Sequence, residues 1–172
     1  MHIQNVLKPL EDLEATLCLL YQHISDLFPL DEEARALFYK LSLEEKSHVA
    51  QVRYQRKLVL KNAALFGEVH IDTDEIRALT AEANAILAAK KRLSVEEAVK
   101  VALHFETSAS EAHMRSAISQ ANPDMVRLLT ALGGGDKSHL QGLLTFARRR
   151  GIAPDGVPGP NPVPPQSLAG AP

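Results

Sequence analysis

Leu41-Ser42-Leu43-Glu44-Glu45-Lys46-Ser47-His48-Val49-Ala50-Gln51-Val52 is the stretch that decides the fold. Leu41 and Val52 are three helical turns apart, so they share one face of a helix. Glu45 and His48 fall on that same face, between them. A charged residue on a core face is costly unless it is paired or bound to a metal. The pattern then returns. Leu132 and Leu143 enclose Asp136 and His139, and Asp136-Lys137-Ser138-His139 repeats Glu45-Lys46-Ser47-His48 at an offset of 91, since 136 − 45 and 139 − 48 agree. The i, i+3 spacing puts carboxylate and imidazole on one face, converging on one ion.

Apolar residues at steps of three and four extend outward from these two stretches and predict four helices. The first segment carries Leu10, Leu13, Leu17, Tyr21, Ile24 and Phe28; the second Ala34, Leu37, Leu41, Val52 and Val59. The third carries Val95, Val99, Ala102 and Ala117; the fourth Met125, Leu129, Leu132, Leu143 and Phe146. Pro29-Leu30-Asp31 and Asn122-Pro123-Asp124 break the pattern and predict two tight turns, hence two antiparallel hairpins. From Gly67 to Leu93 runs a long crossover, with an amphipathic piece near Asp74–Arg92 that predicts a short helix of its own. The fold class expected is all-α: an antiparallel four-helix bundle over residues 1–150, with a long crossover between its second and third helices. From Gly151 to Pro172 the chain holds seven of its ten prolines and a single charge, Asp155, so residues 151–172 read as a flexible, Pro/Gly-rich tail.

The first and third segments each add a lone carboxylate to their inward series, Glu14 and Glu106, 92 positions apart. In an antiparallel hairpin, residues at one height lie equally far from the turn. The midpoint of Glu14 and Glu45 falls at Pro29-Leu30, and that of Glu106 and Asp136 at Ala121. Each hairpin thus levels its two acids, about 22 Å from the turn at helical rise. Two hairpins, each with one lone acid and one acid-x-x-His, meet the needs of a two-fold dinuclear site. A Glu from each of two helices with Glu-x-x-His from the other two is the donor set of di-metal carboxylate bundles. Four carboxylates carry a charge that two divalent ions would neutralise. The competing reading of the six residues is salt bridges at helix edges.

Bulk properties narrow the classes. A chain of 172 residues, 45% hydrophobic and 23% charged, suits one globular domain. A formal charge of −2 gives no electrostatic case for nucleic acid. One cysteine, Cys18, excludes an internal disulfide and a CxxC motif, and reads as a small buried hydrophobe; a cytoplasmic location is expected. The N-terminus lacks the pattern of a signal peptide, and no apolar run is long enough for a membrane span. His113, seven residues beyond Glu106 and about 10 Å along the axis, is expected to stay outside the metal cluster. Tyr21 is expected as a buried tyrosine of the bundle. Gly133-Gly134-Gly135, at about 1 kcal/mol per glycine relative to alanine, is expected to bend or loosen the fourth helix.

Over about residues 7–150 the chain resembles the ferritin-like superfamily, and within it the rubrerythrin-related branch. The likeness is carried by Glu14 seven positions before Tyr21, by Leu43-Glu44-Glu45-Lys46-Ser47-His48, by Leu103-His104-Phe105-Glu106 and by Asp136-Lys137-Ser138-His139. It implies two iron ions held by Glu14, Glu45, His48, Glu106, Asp136 and His139, with manganese or zinc as substitutes. It also implies reaction of reduced iron with hydrogen peroxide or dioxygen, an external reductant such as a rubredoxin-like protein, and a homodimer. Asp136 departs from the family's usual Glu. Ala109 and Ser110 occupy the turn where rubrerythrins proper carry a further carboxylate, and the chain has no four-cysteine rubredoxin domain. Three functions stand at this point: a rubrerythrin-like peroxidase or oxidase, iron oxidation and storage, and a metal-poor helical interaction protein.

Overall fold

The computed structural model describes residues 4–61, 73–118 and 123–153, without the side chains at 4–6, 111, 114–118 and 125. Five helices account for nearly all of it: α1 (Gln4–Asp26), α2 (Glu32–Lys61), α3 (Thr73–Ala89), α4 (Val95–Ile118) and α5 (Pro123–Arg149). No strand occurs among the described residues, and none of their helices is long and apolar enough to cross a membrane.

The helix ends follow from local chemistry. Asp31 caps α2, its Oδ1 accepting the Ala34 N–H at 3.1 Å, with Glu32 and Glu33 at the positive end of the dipole. Ser94 and Glu97 cap α4 reciprocally. The Glu97 N–H donates to Ser94 Oγ (3.2 Å) and the Ser94 N–H to Glu97 Oε2 (2.8 Å). Pro123 opens α5, where its missing N–H costs nothing. Gly151, at φ 66°, closes α5. The Ile152 N–H then reaches back to the Ala147 carbonyl at 2.9 Å, and Ile152 packs on the core. Gly151 therefore belongs to the cap of α5 rather than to a tail; residues 154–172, on which the rest of the expected tail falls, lie outside the described residues.

Paired contacts set the directions. Glu11 meets Arg53 and Arg56 while Ser25 reaches the Arg35 carbonyl, so α1 and α2 are antiparallel. Ser110 with the Gly133 carbonyl, and Glu106 with His139, make α4 and α5 antiparallel. Tyr21 with Glu106 and Glu14 with His113 do the same for α1 and α4. Arg150 with Asp31 and Glu33, and His139 with Glu45, do so for α2 and α5. Helices α2 and α4 consequently run the same way. The chain must return between them, and α3 packs against α1 and α4 on the way, through Ile76, Leu79 and Ala83. The result is an all-helical arrangement compatible with a bundle.

The core is close to the expected one. Leu10, Leu13, Leu17, Tyr21, Ile24, Leu41, Val52, Val99, Ala102, Leu129, Leu132, Leu143 and Phe146 are buried. Phe38 takes the inward place expected of Leu37, which is half-buried, as are Val95 and Cys18. The side chains of Ala117 and Met125, and the turn around Ala121, lie outside the described residues. The glycine run does not break α5, which continues through it from Pro123 to Arg149.

Candidate metal centre

The inward polar residues meet halfway along the helices. Glu14, Glu45, His48, Glu106, Asp136 and His139 are all buried, the least exposed at 1% and the most at 6%. Their donor atoms form two overlapping groups, each spanning no more than 4.8 Å: Glu14, Glu45 and His48 in one; Glu45, Glu106, Asp136 and His139 in the other. Glu45 belongs to both. The six residues singled out by spacing are thus brought together, with Glu45 common to both groups.

The imidazoles converge from opposite helices. His48 Nδ1 lies 3.1 Å from Glu45 Oε2 and 3.3 Å from Glu14 Oε2. His139 Nδ1 lies 3.0 Å from Glu106 Oε2 and 3.1 Å from Glu45 Oε1. The two rings stack at 5.4 Å between centroids. His139 turns its other nitrogen, Nε2, toward Glu44 Oε2 at 3.3 Å. A carboxylate on the far nitrogen of a metal-binding histidine is the usual means of fixing its tautomer. His48 fits because Gly135 faces it: a Cβ there would lie 2.4 Å from His48 Nε2. The glycine expected to weaken α5 is what admits the ring.

Two further residues join. Tyr21 Oη donates to Glu106 Oε1 at 2.5 Å and is fully buried, so the bundle tyrosine is also a neighbour of the cluster. His113 stays outside both groups of converging donor atoms, as expected, and is a core histidine at 0% exposure; yet its Nδ1 is 2.8 Å from Asp136 Oδ2 and its Nε2 3.3 Å from Glu14 Oε1, so it borders the cluster. Each Cα–Cβ bond tilts toward its own helix N-terminus. In these antiparallel helices Glu14 and Asp136 therefore lean toward the level of His113, and His113 leans back to meet them. The available signal was the i+7 step from Glu106, which returns to the same helix face.

The electrostatics are those of crowded acids matched by imidazoles. Burial opposes a charged ring, yet Glu14 and Glu45 outweigh it and push His48 up to about 11. Against the same burial, Glu106 and Glu45 push His139 up to about 10, and Asp136 and Glu14 push His113 up to about 10. Burial drives Glu45 up to about 8, aided by the charges of Glu14 and Glu106, and also raises Glu106. Burial would raise Glu14 too, but the adjoining His113 and His48 hold it well below the usual carboxylate range. Burial and the neighbouring Glu106 carry Tyr21 well above its ordinary value.

A metal fits what these residues leave over. Both carboxylate oxygens of Glu14, Oε1 of Glu45 and Nε2 of His113 are buried without a hydrogen-bond partner. Several have an opposite charge near 3.3 Å that is poorly aimed for hydrogen bonding. Oxygens withdrawn from water and left unbonded are costly, and a cation among them would satisfy them together. Carboxylate and imidazole donors without thiolate suit iron, manganese or zinc. No protein-family model, no curated protein and no solved structure matches the chain.

Proposed function

We propose that this chain is a ferritin-like, rubrerythrin-related di-iron protein, an oxidoreductase that works on hydrogen peroxide or dioxygen and draws electrons from a separate donor. What supports the reading above all is one observation: two buried donor groups that share Glu45, drawn from α1, α2, α4 and α5. Directions are the second support, since two antiparallel hairpins with a long return between them match the bundle inferred from the resemblance. Two irons held there would supply the electrons that reduce the oxidant.

The protein's own groups have separable tasks. Glu14 and His48 would hold one ion, Glu106, Asp136 and His139 the other, with Glu45 available to both. Glu44 fixes the ring of His139 from outside. Tyr21 keeps a proton at Oη against Glu106 Oε1 and so orients that carboxylate. Leu17, Leu132 and the aliphatic residues around them exclude water, which strengthens each charge interaction within. The lone Cys18 is half-buried and cannot form an internal dithiol pair; a rubredoxin-like donor and a homodimer are what the resemblance implies.

Metal analysis of the purified protein with anaerobic Fe(II) titration tests the reading. Two irons per chain are expected, followed by a single round of oxidant consumption that stops until a donor is added. Absence of stoichiometric metal would leave a helical interaction protein. Consumption of many Fe(II) equivalents without a donor, by a particle that sediments as a large closed shell, would make it an iron store instead.

A further inference from the structure

We propose that His113 is a positioning residue that ties the two half-sites together, holding Asp136 through Nδ1 and Glu14 through Nε2. The inference rests on the dinuclear reading above and adds a seventh residue to it. His113 belongs to neither group of converging donor atoms, so it is not counted among the ligands. Its two neighbours do belong: Glu14 to the first group and Asp136 to the second. One ring from α4 therefore reaches a carboxylate on α1 and another on α5.

The geometry gives it a definite task. A carboxylate has two oxygens, and an ion needs the one turned toward it. His113 engages Oδ2 of Asp136 at 2.8 Å, and Asp136 is at the same time one of the four donors of the second group. On the opposite side its Nε2 stands 3.3 Å from Glu14 Oε1, while Glu14 Oε2 faces His48 Nδ1. Nε2 and Oε1 are both fully buried and have no hydrogen-bond partner, so the place each holds beside the other is fixed by the packing of α1 and α4. Against the Asp136 carboxylate, Nδ1 carries the ring hydrogen and donates, while Nε2 is turned to Glu14. The imidazole is rigid, and so are the separation and orientation it imposes on the two acids. Asp136 is a methylene shorter than a glutamate and commands fewer rotamers. A clamp on its Oδ2 makes that short side chain sufficient for its place.

Removing a residue that orients ligands in this way lowers metal affinity by about 10–100-fold. Mn(II) is the probe, because free, isolated and exchange-coupled Mn(II) have different electron paramagnetic resonance spectra. Wild-type protein is expected to bind two Mn(II) per chain as a coupled pair. His113→Leu should weaken at least one ion by about 10–100-fold and abolish or alter the coupled spectrum, with its helix content retained. His113→Gln keeps a side-chain N–H and should recover part of both. His113→Leu with wild-type affinities and an unchanged coupled spectrum would overturn the proposal while leaving the dinuclear reading intact. Wild-type protein that binds fewer than two ions would defeat that reading, and this proposal with it. Should His113→Leu not fold, nitrogen-15 resonance of metal-free wild-type protein decides: an exchange-protected Nδ1–H of His113 is expected from its hydrogen bond to Asp136, and a rapidly exchanging one would overturn the clamp.

Discussion

Adding one methyl group at Gly135, and separately at Gly134, isolates the role of the glycine run in α5. Both residues are inside the helix, where alanine is favoured over glycine by about 1 kcal/mol. At Gly134 a Cβ would meet nothing within 4 Å, so Gly134→Ala should stabilise the protein by nearly that amount. At Gly135 the Cβ would lie 2.4 Å from His48 Nε2 and 2.7 Å from its Cε1. The ring cannot simply retreat, because Nδ1 on its other side is engaged with Glu45 at 3.1 Å and Glu14 at 3.3 Å. Overpacking of this kind costs about 1–3 kcal/mol. Set against the helix gain, Gly135→Ala should come out about 0–2 kcal/mol less stable than wild type, and so about 1–3 kcal/mol below Gly134→Ala. Urea unfolding of the metal-free proteins measures the difference. Each kcal/mol also appears as about 2–4 °C in Tm at this chain length. Titration with Mn(II) should show normal affinity for Gly134→Ala and about a tenfold loss for Gly135→Ala, whose His48 is displaced. If the two variants gain the same stability and bind metal equally, His48 does not occupy the notch at Gly135, and the first half-site is misassigned.

Three other outcomes follow from the same geometry. Saturating Mn(II) or Fe(II) under anaerobic conditions should raise Tm, since an ion at 100 times its Kd contributes about 2.7 kcal/mol; His48→Ala, which removes one of three donors in its group, should blunt the rise in calorimetry. Metal-free stability should fall as pH rises from about 4.5 toward about 8 through Glu45, and from about 6.5 toward 10 or 11 through His139, His113 and His48, because in each window the folded state holds the extra proton. Metal affinity should climb over the same range, as Glu45, His48 and His139 must shed their protons to bind, so parallel pH profiles for the metal-free and loaded proteins would contradict the assignment. Finally, Tyr21→Phe removes the donor to Glu106 Oε1 and should cost about 1–3 kcal/mol in denaturant unfolding, the penalty for stranding a buried acceptor; a neutral substitution would mean that Glu106 turns elsewhere.

The primary structure by itself determined the helices and the six inward residues of the cluster. Apolar steps of three and four mark a helix face without knowledge of its partner, and Glu45, His48, Asp136 and His139 interrupt such faces visibly. Levelling Glu14 with Glu45, and Glu106 with Asp136, needed only two turns and a constant rise per residue, because each pair belongs to one hairpin. Relations between hairpins were a different matter. They depend on the rotation and axial offset of α1 against α4 and of α2 against α5, and no local rule in the connecting residues 62–94 sets these. Tertiary packing alone decided that Glu45 is the shared carboxylate and that Tyr21 serves Glu106. It likewise decided that Gly135 makes room for His48 and that His113 stands between Glu14 and Asp136. Counting along one helix put His113 about two turns from Glu106; its neighbours Glu14 and Asp136 come from the two opposing helices, whose placement no count along α4 contains.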